Sequence, residues 1–326
     1  MGVYHFTPVG LSPGAVTAAL AYIKQNPKVF TTRGSAIDSL VIFTSPEIRR
    51  GEERLSDDCI YNRYNGKEII KEWKKNSASI LEVIIHFIKQ EIAPILPDKG
   101  KVYVCPLNPD DYDNCFETVT KASLYFSSPG HTGKHIWANL TGGTNVMNAA
   151  LLQVSFLSGL IGRLYYTFVP YAEDRKYLQS RDIERHRFKW DDIPRVKTNI
   201  DDIYHLLLKM LSQMSEGWYL DEELLSRFKQ LAYQHLSTES ADRVNQMDIQ
   251  IFRQEYLNKM DGVELQRQVL PDQSQGREIR LSESGKQLVK WFNSDLFKAL
   301  VQRGKGEEVE TAALLGDFKP EELWSK

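Results

Sequence analysis

Thr141-Gly142-Gly143-Thr144-Asn145 stands where an apolar run gives way to a helical pattern, and its residue types suit an anion. Glycines let a backbone approach a phosphate, hydroxyls add donors, and a helix N-terminus presents exposed N–H groups at its positive end. A tight turn that needs glycine for positive φ would use the same residues. Neither Gly-x-Gly-x-x-Gly nor a following Gly-Lys-Ser/Thr accompanies the loop, so it is not a dinucleotide fingerprint or a Walker loop. Gly10-Leu11-Ser12-Pro13-Gly14 is a second loop of the same kind. There Ser12 can cap the next helix, with Pro13 at the first helical position, or turn its hydroxyl to a ligand. Arg175 and Lys176 form a vicinal cation pair, and a lysine so placed can stabilise charge on a phosphorane without a metal.

Other groupings carry less. His131 and His135 flank Gly133 across a loop-to-strand junction, which is poor geometry for a metal pair. Arg181 and His186 match a short ribonuclease pattern but lie in a charged connector. Asp110, Asp111 and Asp113 follow Asn108-Pro109 and read as a turn and helix start. Cys59, Cys105 and Cys115 supply neither a disulfide framework nor a zinc-type pair. No metal site and no cofactor is expected.

These residues need a scaffold, and the pattern supplies one. Val3–Pro8, Ser39–Thr44, Lys101–Cys105, His135–Leu140 and Gly162–Val169 read as strands. Between them, Ala15–Lys24, Ser79–Ile92, Cys115–Phe126 and Val146–Leu157 read as helices. Alternation of this kind implies right-handed crossovers and a doubly wound, mostly parallel, Rossmann-like α/β sheet. Ligands of such sheets bind at the carboxyl ends of the strands. That edge collects Gly10–Gly14, Thr44–Pro46, Pro106–Asp111, Thr141–Asn145 and Pro170–Lys176.

After Asp201 the texture changes. Ile203–Met214, Asp221–Leu236 and Met247–Met260 read as helices, followed by Val263–Leu270, Arg277–Leu281 and a helix opening at Ser282. Helices, a hairpin and a further helix make a smaller, winged-helix-like domain. The expected organisation is residues 1–195, 196–302 and a charged, loosely attached tail at 303–326. The 326 residues favour more than one domain, and 42% hydrophobic with 26% charged residues fits a soluble protein. Net charge is −2, so any anion site must be local. No leader or membrane-length apolar run is read, and the expectation is a cytoplasmic protein with no membrane association.

The run Gly10-Leu-Ser-Pro-Gly-Ala-Val-Thr-Ala-Ala-Leu20, with Asn139-Leu-Thr-Gly-Gly-Thr-Asn-Val-Met147 after the fourth strand, resembles the CRISPR-associated Rossmann-fold domains. The resemblance covers residues 1–195. It implies a homodimer that binds a cyclic oligoadenylate, often the tetra-adenylate, across its two-fold axis, commonly with a winged helix behind it. Within the family the chain looks like the ring nucleases, which cleave that messenger. The resemblance makes Ser12 and Lys176 catalytic. It gives ligand contacts to Gly10, Leu11, Pro13, Gly14, Thr141, Gly142, Gly143, Thr144, Asn145, Met147 and Arg175. It also implies metal-independent attack by the ribose 2′-hydroxyl, leaving a 2′,3′-cyclic phosphate. The family usually has lysine where this chain has Asn145.

Two other functions compete. One is a ligand-sensing regulator whose winged helix reads DNA, with Arg267, Arg277, Arg280 and Lys286 diluted by Glu264, Glu278 and Glu283. The other is an oligoadenylate-activated nuclease effector, for which the C-terminal half offers no catalytic constellation.

Overall fold

Apolar runs long enough to be buried on both faces become the strands of a parallel sheet, and the amphipathic stretches between them cover it. The computed structural model describes residues 2–25, 36–53, 79–93, 100–128, 135–168, 189–193, 202–214, 217–257, 263–269 and 275–325. Two compact units emerge, Met1–Lys197 with Ala299–Lys326, and Thr198–Lys298.

In the first unit, β1 (Gly2–Val9), α1 (Gly14–Gln25), β2 (Ala36–Thr44) and a short α2 (Pro46–Arg49) lead to α3 (Ile80–Phe87). A π-helical turn, Ile88–Ile92, extends α3. Then come β3 (Lys101–Pro106), α4 (Tyr112–Phe126), β4 (His135–Asn139), α5 (Asn145–Ser158), β5 (Ile161–Phe168) and β6 (Lys189–Ile193). The second unit contains α6 (Asp202–Gln213), β7 (Tyr219–Leu220), α7 (Asp221–His235), α8 (Thr238–Gln246) and α9 (Ile249–Ile251). It continues with β8 (Val263–Val269), β9 (Gln275–Leu281) and α10 (Glu283–Asn293). Helix α11 (Asp295–Gly304) carries the chain back to the first unit, where α12 (Ala312–Leu315) and β10 (Glu321–Ser325) lie.

The first unit's sheet runs β10-β3-β2-β1-β4-β5-β6. Its five inner strands are parallel, and β10 and β6 are antiparallel edges. The order reverses between β1 and β4. That is the topological switch point, where the loops after two neighbouring strands diverge and leave a crevice. On one face α1 and α3 bury Val16, Leu20, Ile80 and Ile84 against Val3, Leu40, Ile42 and Trp137. On the other, Phe126 of α4 packs on Tyr4, Phe6 and Tyr103 at centroid distances of 4.5, 5.9 and 5.2 Å.

The segment from Arg303 does not hang loose. Leu323 and Trp324 pack against the core, and Glu322 pairs with Lys101 at 2.6 Å while Glu321 pairs with Arg49. Arg303 donates to the Ser127 carbonyl at the end of α4, 2.8 Å away, where a cation also meets the helix dipole favourably. Charge obscured this strand because its charged residues face solvent at a sheet edge, as edge strands require.

The second unit is a separate core. Ile203, Leu206, Leu207 and Met210 of α6 are buried, and β7-β9-β8 form an antiparallel sheet. Arg280 lies over Trp218, 4.7 Å from the ring centre. Two helices depart from expectation. The stretch expected at Met247–Met260 begins as the three residues of α9 and a π turn, Phe252–Tyr256, while α8 forms ahead of it. The helix opening at Ser282 stops at Ser294, whose hydroxyl accepts from Phe297 N at 3.2 Å and so starts α11 afresh. No helix among the described residues is long and apolar enough to cross a membrane.

A buried polar pair crosses the sheet centre: His5 of β1 meets the Tyr165 hydroxyl of β5, both fully buried. Desolvation holds the His5 pKa down at about 3, so it folds neutral, whereas the unfolded residue titrates near 6.5. The unfolded chain therefore binds the extra proton first, and stability is lost as pH falls from about 6.5 toward about 3. Denaturant titrations should show this acid limb between pH 6.5 and 5 for the wild type. His5→Asn, although less stable at neutral pH, should show a flatter one.

Candidate functional site

The loop after β4 is positioned from below by a chain of buried hydrogen bonds. The Asn139 side-chain amide donates to Thr7 Oγ1 at 3.2 Å and to the Ala15 carbonyl at 3.3 Å, tying β4 to β1 and α1. Its Oδ1 accepts from Thr141 N at 2.9 Å. Thr141 Oγ1 lies 2.7 Å from Thr167 Oγ1 and accepts from Thr167 N at 2.8 Å, which ties the loop to β5. Thr144 caps α5 by accepting from Met147 N at 3.3 Å and donates to the Pro109 carbonyl at 3.2 Å. Asn148, one turn into α5, donates to the Gly142 carbonyl at 3.0 Å.

The glycines serve close approach. A Cβ on Gly142 would run into the Pro8 carbonyl oxygen of β1. Gly143 sits at φ +72°, and a Cβ there would lie 2.5 Å from Pro8 Cβ and 2.9 Å from the Met147 sulfur. Gly10 differs: a Cβ there would sit 3.5 Å from Gly143 Cα, an ordinary contact.

With the loop held this way, the amides after Thr141 are left open. The backbone N–H groups of Gly142, Gly143, Thr144, Asn145 and Val146 make no hydrogen bond among the described residues. The cap on Met147 and the first helical bond, Asn148 N to the Thr144 carbonyl at 3.1 Å, begin only after them. Five successive open donors at the start of a 14-residue helix form a concentrated positive end. In α1, by contrast, the Ala15, Val16 and Thr17 amides fold back onto Ser12 and Pro13 carbonyls at 3.0–3.2 Å.

Between the loops lies a cavity of about 510 Å³, a size typical of small-molecule sites. Gly10, Leu11, Ser12, Thr141, Gly142, Gly143, Thr144 and Met147 of the expected set line it. Leu11 stands 64% exposed at the mouth. Helix α1 starts at Gly14, which puts Pro13 rather than Ser12 immediately before it. Ser12 therefore does not occupy the cap position, and its hydroxyl makes no hydrogen bond among the described residues. Pro13 and Gly14 shape that turn without lining the cavity, and Asn145 is exposed just outside. Arg175 and Lys176 lie outside the described residues, as do Arg181, His186 and His131.

The lining also holds residues that no motif pointed to: Ser45, which caps α2, Glu47 and Ile48 of α2, Glu53 beyond it, and Pro109 from the loop after β3. The strand-end rule placed both loops on this edge, but nothing local marks a glutamate as a cavity wall. None of the described lining residues is lysine or arginine. Asp111 caps α4 by accepting from Asn114 N at 3.1 Å, so the aspartates are a helix start. Among the described residues no three His, Cys, Asp or Glu side chains converge as a metal site would.

No protein-family model matches the chain. An uncharacterized protein of Archaeoglobus fulgidus is 23% identical over 273 residues, 70% of this chain and 83% of that protein. Among solved structures, Enterococcus italicus Csm6 bound to cyclic hexa-2′-fluoro-hexa-dAMP aligns with 12% identity and a TM-score of 0.37. That alignment covers 75% of this chain and 52% of the Csm6 chain, so this chain spans about half its length. A TM-score of 0.37 leaves the fold to be read from the sheet order itself.

The glycine geometry separates the two loops by experiment. Gly142→Ala and Gly143→Ala are expected to cost about 2–4 kcal/mol each, through backbone collision and forced positive φ. Gly10→Ala should stay within about 0.5 kcal/mol of wild type. Urea unfolding midpoints check all three.

Proposed function

We propose that the chain is a ring nuclease of type III CRISPR immunity, a homodimer that binds a cyclic oligoadenylate, foremost the tetra-adenylate, and opens the ring. The observation that carries this reading is the run of five open amides, Gly142 to Val146, at the switch point of a 3-2-1-4-5 sheet. Such donors hold phosphate without a counter-ion. The family named by the Gly10–Leu20 and Asn139–Met147 motifs binds its ligand with these two loops. Asn145 removes one expected cation, so the backbone carries more of the phosphate binding in this chain.

In the reaction, Ser12 directs its hydroxyl to the ribose or the scissile phosphate. The ribose 2′-oxygen attacks the adjacent phosphorus in line, and the bond from phosphorus to the 5′ oxygen breaks. The 2′-hydroxyl proton passes to solvent and the departing 5′ oxygen takes one back. The products carry a 2′,3′-cyclic phosphate and a 5′-hydroxyl, and the step draws on no metal. Arg175 and Lys176 clamp the scissile phosphate in this reading, and Lys176 stabilises the charge that develops there.

A second reading has its own observation. In the second unit, α6, β7, the following helices and the β8–β9 hairpin occur in winged-helix order, with the first strand pairing on the last as β7-β9-β8. That arrangement suits a DNA-reading module governed by the same ligand. Salt-dependent DNA affinity that changes with cyclic tetra-adenylate would favour this regulator.

Incubation with cyclic tetra-adenylate in chelator, followed by product chromatography, tests the enzyme. Linear di-adenylate bearing a 2′,3′-cyclic phosphate is expected, and ligand that stays bound and intact would sink the nuclease in favour of a sensor. Ser12→Ala and Lys176→Ala should each slow single turnover by roughly 10²–10³-fold, the usual cost of a lost transition-state donor. Unchanged kinetics in the double variant would overturn both assignments.

A further inference from the structure

The second unit carries a cavity of its own, and its chemistry differs from that of the strand-end crevice. It holds about 670 Å³ and opens between the end of α6, β7, the end of β9 and the first turns of α10. Leu211 and Val289 are buried in its floor, and Met214, Tyr219 and Leu281 are half-buried beside them. Arg280, Glu283 and Lys286 are exposed at its rim. The helices α6 and α10 thus supply most of the apolar floor, and the passage from β9 into α10 supplies the charge. The cavity lies where Val263 pairs with Leu281, at the opposite end of the β8–β9 hairpin from the pair Val269 and Gln275.

Among the described lining residues two cations face one carboxylate, an excess of one positive charge. Glu283 and Lys286 pair at 2.8 Å, but the Glu283 side chain is 87% exposed. An ion pair so wet contributes little, so Lys286 can trade it for a ligand anion. Arg280 is held more firmly, because its guanidinium lies 4.7 Å over the Trp218 ring. A guanidinium stacked on a ring presents its N–H edge in the plane, the geometry that grips a carboxylate through two bonds. One excess charge suits a monoanion better than a polyphosphate. An apolar floor offers nothing to a bare inorganic ion and favours one that carries a hydrocarbon body.

We propose that the second unit binds a small amphipathic acid in this cavity. Its carboxylate meets Arg280 and Lys286, and its apolar body lies on Leu211, Val289 and Tyr219. The site shares no residue with the β1–β4 crevice, and it stands or falls without the nucleotide proposed there. It also gives Arg280 and Lys286 a ligand other than DNA.

Displacement of a fluorescent amphipathic anion, 1-anilinonaphthalene-8-sulfonate, from the whole chain tests it, with octanoate, octanol and octylammonium as competitors. Octanoate should displace the probe at roughly tenfold or more lower concentration than octanol, the usual worth of a charge-assisted hydrogen bond. Octylammonium should be the weakest of the three. Hexanoate should bind roughly tenfold more weakly than octanoate, for two methylenes withdrawn from the floor. In the double variant Arg280→Gln, Lys286→Gln, the preference for acid over alcohol should shrink to near unity, with an unchanged melting temperature. Equal displacement by acid and alcohol from the wild type would overturn the anion site. A preference that survives the double variant would overturn its placement at Arg280 and Lys286. Displacement by a short DNA duplex or by cyclic tetra-adenylate would hand the probe's site to those ligands and sink the proposal, leaving the ring nuclease reading as it stands. A chain that does not bind the probe contradicts the proposal as well.

Discussion

The close approach of Gly142 and Gly143 to Pro8 governs the geometry of the candidate site. At the switch point the chains leaving β1 and β4 must pass within backbone contact before their helices diverge to opposite faces of the sheet. Only residues without a Cβ permit that separation, and Gly143 also needs the left-handed conformation that turns the chain into α5. Once the loop is pressed onto β1, the amides of Gly142 to Val146 have no partner among the described residues. Packing that removes internal acceptors and a site that offers external donors are thus one feature. The tight turn at Thr141–Asn145 is what leaves open the amides that the proposed anion site requires.

Beneath that contact, the polar residues of β1, β4 and β5 do what apolar ones could not. Asn139, Thr7, Thr141 and Thr167 fix the loop's height and direction through bonds of 2.7–3.2 Å, and His5 with Tyr165 continues the row into the sheet centre. Leaving any one of them unpaired in so dry a place would cost about 1–3 kcal/mol. The row therefore constrains the site at the expense of easy substitution. The site's two electrostatic characters follow from its parentage. Donors come from the helix start after β4, and the exposed carboxylates of Glu47 and Glu53 come from α2 and the segment after it.

Much of this was legible in the residues. Alternating SLVIFT-type runs and amphipathic stretches announce a parallel sheet, and all five inner strands lie within a few residues of where the pattern puts them. The two glycine loops were legible because glycine is conspicuous and because strand-end position is topological. The edge strand Glu321–Ser325 was not, since pairing partners such as Glu321 and Val104, far apart in the chain, leave no local signal and its charges mimic a solvated tail. Glu47 and Glu53 were hidden for a related reason. An acidic residue in a polar loop looks the same whether it faces water or a cavity. The stretch near Met247 failed differently, because helical periodicity cannot distinguish α from π turns.

The central claim is that the β1–β4 crevice holds a cyclic oligoadenylate with phosphate on backbone amides. A crystal structure of the chain with a non-cleavable cyclic tetra-adenylate analogue tests it most directly. The account predicts a phosphate oxygen within hydrogen-bond distance of at least two amides from Gly142 to Val146. Ligand seated elsewhere, or phosphate held by side chains with those amides bare, would contradict it.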